Sequence, residues 1–207
     1  MLRILSNPIV QTHITRLRSE DTKALAFRTL VKEISKILLY EALHSAKMVD
    51  TNIQTWRGEE TFKSLDTSSY IVVTVLRAGM PMLESVMETL PDIEAGFLAI
   101  KRDETTHESK LYYDRLPDCS GKSVIIVDVM LATGGSMCDA IDIVKSKNAQ
   151  EIICLNIIAA PEGLKVVQEK HPDVDIYLAQ KDEKLNKDKF IIPGLGDAGD
   201  REYNTIV

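Results

Sequence analysis

The chain has no apolar run long enough to cross a bilayer, no internal repeat and no low-complexity linker. Its first residues, MLRILSNPIVQTH, lack the long apolar core of a secretory leader. Cysteine is scarce: Cys119, Cys138 and Cys154 make an odd count without metal-ligand spacing. Cys138 and Cys154 sit in apolar stretches and read as small buried hydrophobes, which fits a reducing, cytoplasmic setting. Positive charge is in deficit, with 25 Lys and Arg against 31 Asp and Glu, a net charge of −6 and a pI near 5.3. That balance argues against a general affinity for nucleic acid or acidic membranes, while allowing a local positive cluster inside a site. No Ser/His/Asp or Cys/His set is visible, and His13 and His171 have no partner at catalytic spacing.

What is present is a soluble composition, 44% hydrophobic and 27% charged over 207 residues, enough for one domain with a sizeable core. Residues 22–47 carry apolar groups at helical spacing, with Asp21 or Thr22 as the expected cap. Residues 48–68 are polar, with a short strand expected around Ile53 and the single Trp56 as a packing residue. From Tyr70 onward the pattern alternates. Strands are expected at 71–76, 95–100, 123–127, 152–158 and 174–179, and helices after Pro81, Met137 and Pro161. That order predicts an α/β fold, a mostly parallel twisted sheet flanked by helices. Such sheets bind ligands at the carboxyl ends of their strands, so the segments after residues 76, 100 and 127 should converge there.

Residues 124–136 read VIIVDVMLATGGS. Thr133, Gly134, Gly135 and Ser136 stand between a strand end and a helix start, where glycines let backbone N–H groups turn toward one anion and the helix adds positive charge. Asp128 suits sugar hydroxyls instead. Acid followed by anion nest therefore suits a sugar phosphate. The lysine of a triphosphate P-loop is missing, and GxGxxG is not matched. A plain strand–turn–helix connection would also use Thr as cap and Gly for tightness.

This stretch resembles the 5-phosphoribosyl-1-diphosphate (PRPP) motif of type I phosphoribosyltransferases, and its LATGGS ending resembles their uracil branch. The resemblance implies that Asp128 holds the ribose hydroxyls while Ala132, Thr133, Gly134, Gly135 and Ser136 wrap the 5′-phosphate, with Val129, Met130 and Leu131 completing the motif. Where that family usually has proline this chain has Val129, which restores an N–H and frees φ; a modest loss of loop rigidity is expected. FIIPGLGDAGD (190–200) is similar to the uracil-binding signature of the same family. By that resemblance Ile191 meets the base through its main chain, Gly196, Asp197 and Ala198 line its polar edge, and Asp197 also faces PRPP. A fixed backbone N–H opposite uracil O4 would reject cytosine. VLRAGMP (75–81) resembles the family's diphosphate loop, with Arg77 on the diphosphate. KRDETT (101–106) resembles the start of its flap, with Arg102 on the diphosphate and Lys101 where an aromatic is usual. YYDRLP (112–117) resembles the flap's far end, and NPIVQTHITRLRSEDT (7–22), AAPEG (159–163) and HPDVDIY (171–177) also match.

The expectation is one phosphoribosyltransferase domain over residues 1–207, with a core from about 68 to 180, a base-binding hood from 1–25 and 180–207, and a flap at 102–115. The implied reaction is uracil plus PRPP giving UMP and diphosphate. Arg102, Asp197 and Asp200 are the candidate catalytic groups, and Mg²⁺ is held mainly by PRPP and water rather than by dedicated protein ligands. Some members of the family are activated by GTP, so GTP is a candidate effector. A homodimer or higher homo-oligomer is expected, with the 22–47 helix as one available surface. Two other readings stay open: transfer to a different base, and a regulator that keeps the fold without turnover.

Overall fold

The computed structural model describes residues 1–102 and 109–205, with side chains described at all of these but 101, 102, 109 and 110. In chain order the elements are β1 (Leu2–Ile4), α1 (Pro8–Arg18), α2 (Ala24–Ala42), β2 (Met48–Thr55), β3 (Gly58–Leu65), β4 (Tyr70–Leu76), α3 (Met80–Thr89), β5 (Glu94–Arg102), β6 (Ser109–Arg115), β7 (Ser123–Leu131), α4 (Gly135–Ser146), β8 (Glu151–Ala159), α5 (Pro161–Lys170), β9 (Asp175–Lys181), β10 (Lys184–Leu185), β11 (Ile191–Ile192) and α6 (Ala198–Tyr203).

Seven strands form one sheet in the order β1-β9-β8-β7-β4-β5-β6, parallel throughout except for β6, which runs antiparallel to β5. The central strands are buried on both faces, which is why they read as unbroken apolar runs. Along β7, Ile125, Val127 and Val129 join the core under α1, α2 and α3, while Val124 and Ile126 join the core under α4 and α5. From β4 the chain moves outward through α3 to β5 on one side, and β7 lies on the other side of β4. Strand order therefore reverses between β4 and β7, and an open α/β sheet leaves its ligand crevice at such a point.

All five expected strands appear, each slightly longer than its apolar run. The expected helix at 22–47 ends at Ala42, and its cap is not the one expected. Lys23 is the N-cap and makes no side-chain capping bond, since its ammonium has no acceptor to offer, and the Thr22 hydroxyl donates to the Arg16 carbonyl at 2.6 Å. Two N-terminal elements appear that the apolar pattern did not separate. One is α1, capped by Asn7, whose side chain accepts the Ile9 N–H at 2.8 Å, with Pro8 in its first turn. The other is β1, added parallel to β9. The strand expected around Ile53 is half of an eight-by-eight-residue hairpin that forms its own two-stranded sheet, turning at Trp56 and Arg57. Trp56 is not a packing residue: it is 92% exposed at the turn. The segment expected as a flap begins in β5 and ends in β6, and residues 103–108, His107 among them, lie outside the described residues.

One buried acid stands out between α6 and α2. Glu202 is fully buried, and neither carboxyl oxygen has a hydrogen-bond partner among the described residues. Its carbonyl, not its carboxyl, accepts from Arg28. Burial pushes its pKa up to about 9, and nearby Asp128 adds to the rise. An acid that holds its proton more tightly folded than unfolded favours folding most below the ordinary carboxylate pKa, and that stability is lost as pH climbs toward 9. We expect Glu202→Gln to melt higher than the parent at pH 8, by about 1 kcal/mol or more given about 1.4 kcal/mol per pKa unit, with the gain shrinking toward pH 5. Thermal melts across pH 5–9 measure it, and parallel curves for the two proteins would contradict the assignment.

Candidate active site

The carboxyl end of β4 delivers Arg77. Its apolar run stops at Leu76, the Leu76–Arg77 peptide bond is cis, and the chain turns through Ala78 and Gly79 into α3. The guanidinium does not stand free. Nη2 donates to Asp200 Oδ1 at 3.0 Å and Nη1 to the Thr205 hydroxyl at 3.3 Å, while that hydroxyl donates to the same Asp200 oxygen at 2.6 Å. The Thr205 hydroxyl first, and then Arg77, hold the Asp200 carboxyl below its ordinary pKa. The pair remains substantially exposed, so it is open to competition from a stronger anion.

The carboxyl end of β7 delivers Asp128 and the loop behind it. Asn156 on β8 donates from Nδ2 to the Asp128 carbonyl at 2.9 Å, fixing the backbone there. Burial pushes the Asp128 carboxyl up to about 7, against the backbone N–H groups of Val129 and Met130, which pull it down. The strand continues to Leu131, so Val129 and Leu131 are strand residues, and the Val129 side chain is buried in the core. Gly134 caps α4 with φ at 86°, and a Cβ there would lie 2.8 Å from the Gly163 carbonyl oxygen. Only glycine meets both conditions. The first turn of α4 carries no acid, leaving its N-terminal N–H groups unopposed by negative charge.

The third contributor is the segment after β11. It passes a cis Ile192–Pro193 bond and Gly194, whose φ is 66° and where a Cβ would lie 2.1 Å from the Ile191 carbonyl oxygen. Asp197 then caps α6, its side chain accepting the Asp200 N–H at 2.9 Å. Ile191 and Ala198 are buried in the core, which leaves their main chains as the parts able to meet a ligand.

These three segments meet in a cleft of about 920 Å³ lined by Arg77, Asp128, Ser136, Asp197 and Asp200, with Leu76, Ala78, Ile100 and Gly199. A smaller pocket of about 190 Å³ shares Asp128 and Ser136 with it and is lined by Met130, Leu131, Ala132, Thr133 and Gly134. The sequence-predicted residues thus divide between two joined spaces, one bounded by charge and one by the small-residue loop. Gly135 is the first residue of α4. Ile191, Gly196 and Ala198 border neither space, although their neighbour Asp197 does. Arg102 ends β5, and its side chain is outside those described. Tyr112, at the start of the YYDRLP stretch, lines the cleft from β6, and Lys189, which the sequence did not single out, borders the smaller pocket from a left-handed backbone at φ 67°. Lys189 is one of four lysines between 181 and 189, and nothing in the string separates it from the others.

Comparison with known proteins bears on the same residues. A family model described as uracil phosphoribosyltransferase matches residues 4–205. A uracil phosphoribosyltransferase of Campylobacter concisus is 42% identical over 206 residues, 99% of each chain. One of Clostridium botulinum is 44% identical over 202 residues, 97% of each. Among solved structures, the AQ2163 protein of Aquifex aeolicus superposes with a TM-score of 0.96 at 40% identity over the full length of both chains. A purine phosphoribosyltransferase of Pyrococcus horikoshii shares the fold, with a TM-score of 0.51 at 19% identity over 74% of this chain and 84% of its own. The two long motifs, the cleft between β4 and β7 and these full-length matches agree: the chain belongs to the uracil phosphoribosyltransferase family.

Proposed function

We propose that the chain transfers the 5-phosphoribosyl group of PRPP to N1 of uracil, giving UMP and diphosphate. The observation that carries this reading is the convergence, at one strand-order reversal, of Arg77, the Asp128–Ser136 loop and the segment bearing Asp197. In this reading the 5′-phosphate lies in the smaller pocket against the N–H groups at the start of α4, and Ser136 adds its hydroxyl. Asp128 accepts from the ribose hydroxyls. The diphosphate lies toward Arg77, which exchanges its Asp200 partner for phosphate oxygens, and Arg102 joins it from the end of β5. Uracil lies against the main chain of 191 and 196–198.

The bond from C1′ to the diphosphate oxygen breaks as the bond from uracil N1 forms, and the N1 proton leaves to an acceptor. Asp197 and Asp200, which both line the cleft, are the candidates for that proton. Catalysis then rests on positioning and on charge at the leaving group. Asp197 and Asp200 also offer carboxylate oxygens that would accept hydrogen bonds from Mg²⁺-bound water, which fits an ion held chiefly by substrate oxygens; bound there, Mg²⁺ would neutralise charge on the diphosphate. The 102–115 segment is the candidate flap for excluding water. Three buried free thiols support a reducing, cytoplasmic setting, and GTP is carried as a candidate effector.

We further propose self-association through β2 and β3 rather than through α2. The apolar face of α2, with Phe27, Leu30, Ile34 and Leu38, is already buried in this chain's own core. The hairpin instead exposes Met48, Ile53, Trp56 and Phe62 together, an unusual load of apolar surface for a two-stranded sheet in water.

Incubation with uracil, PRPP and Mg²⁺ should yield UMP and diphosphate, while cytosine, orotate and hypoxanthine yield no nucleotide; turnover of one of those bases instead would redirect the reading of 190–200. Because ionised Asp128 offers both carboxylate oxygens as strong acceptors to the ribose hydroxyls, kcat/KM for PRPP should rise as pH increases through about 7. Asp128→Asn should cost about 10²-fold and flatten that rise; a variant that keeps the same profile would remove Asp128 from the role. Light scattering should give at least twice the 23.1 kDa of one chain, and Trp56→Ser with Phe62→Ser should shift the mass toward that of one chain.

A further inference from the structure

The side chains of Arg18 and Asp182 hydrogen-bond to each other and to both backbone polar groups of one residue, Gly194, in the base-binding segment. Arg18 is the last residue of α1, and Asp182 follows the carboxyl end of β9. Arg18 Nη2 donates to Asp182 Oδ1 at 2.6 Å, and Nη1 donates to Oδ2 at 2.9 Å. That is a two-pronged pair on a carboxylate whose side chain is 1% exposed. Both groups also bond to Gly194. Its N–H donates to Asp182 Oδ2 at 2.9 Å, and its carbonyl accepts from Arg18 Nη1 at 2.6 Å. Gly194 lies between Ile191 and Gly196, two of the positions assigned to the base. The carbonyl of the next residue, Leu195, accepts from Arg201 Nη1 at 2.8 Å. Arg201 is itself held from the N-terminal segment: it donates to the Leu17 carbonyl, and from Nη2 to the Ser19 carbonyl at 2.6 Å, with its guanidinium over the Phe27 ring at 4.5 Å.

From this geometry we infer that Arg18 and Asp182 are positioning residues for base recognition, setting the backbone of 194–198 from outside the cleft; the inference rests on the reading that this segment binds uracil. A loop that reads a base through main-chain groups has no side chains with which to correct its aim. A small rotation of one peptide moves donor and acceptor together and destroys the discrimination. Neither residue borders the cleft, and each reaches the base-binding segment through the Gly194 backbone. Without the guanidinium the buried carboxylate loses its charge partner, and without the carboxylate the Gly194 N–H loses its acceptor, so loss of either side chain frees the Gly194 backbone to turn.

The test is steady-state kinetics on the full chain, varying uracil and PRPP separately, for the parent, Arg18→Lys and Asp182→Asn. Lysine keeps the charge but cannot pair with both carboxylate oxygens and the Gly194 carbonyl in one plane. Arg18→Lys should raise KM for uracil about tenfold, the equivalent of one charge-assisted hydrogen bond, leave KM for PRPP within about twofold, and narrow the preference for uracil over cytosine. Asp182→Asn should do the same more strongly; if it fails to fold, Arg18→Lys, followed by thermal melting and direct PRPP binding, decides alone. Parent turnover with unchanged uracil KM in Arg18→Lys, or an equal loss for both substrates, overturns the inference while leaving the function standing. If the parent turns over a different base, the same split should appear for that base. If it turns over none, the function reading falls and takes this inference with it.

Discussion

Val73 pairs with Ile126, and Thr74 with Val127, although about fifty residues separate the two strands. Everything at the cleft depends on that parallel pairing. It sets the tip of β4, where Arg77 sits, beside the tip of β7, where Asp128 and the glycine loop sit, with the chain departing in opposite directions on the two sides. A crevice at that reversal follows from connectivity alone. The burial that stabilises the pair is supplied by apolar side chains on both faces, while the charged Arg77 and Asp128 come toward the carboxyl edge. Function and stability are therefore divided along the length of the same strands.

The cleft poses an electrostatic problem. A substrate bearing a phosphate and a diphosphate enters a space bordered by Asp128, Asp197 and Asp200, with Glu202 buried nearby. The shifts in ionisation reduce the conflict. Glu202 stays protonated at neutral pH and Asp128 is only partly ionised there, while Asp200 is neutralised by its pairing with Arg77. Without ligand, the acids keep Arg77 occupied and in place. An arriving anion competes for that arginine on favourable terms, because the existing ion pair is solvent-exposed and weak.

The sheet and the helices from Tyr70 to Lys181 were legible because strands buried on both faces leave contiguous apolar runs and their covering helices leave a 3.6-residue period. The turn bearing Thr133, Gly134 and Ser136 was legible because a tight passage from strand to helix restricts residue type, as the positive φ and close packing at Gly134 require. The hairpin at 48–65 was illegible beyond Ile53 because it covers no core of its own chain and therefore shows no single-faced apolar alternation. α1 was hidden although Asn7 and Pro8 signal a helix start, since only Val10, Ile14 and Leu17 mark its buried face. Arg18, Asp182 and Lys189 carry no local signature. Their roles arise from which parts of the fold meet, and a linear pattern does not contain that information.

Val129 illustrates how a departure from a family pattern can be absorbed by the structure. A proline at this position would fix φ and remove a donor; valine does neither. Here the residue lies inside β7, with its side chain buried against the α1–α3 layer. The pairing of Asp128 with Asn156, Met130 with Ile158 and Leu131 with Ala159 holds the backbone on either side of it. Its N–H is directed to the Asp128 carboxylate, where it favours the ionised form against burial. A rigid ring is thus replaced by strand pairing and core packing. The added donor acts on the acid assigned to the ribose hydroxyls. Strand pairing and core packing hold Val129, and its N–H is one of two that favour the ionised form of Asp128.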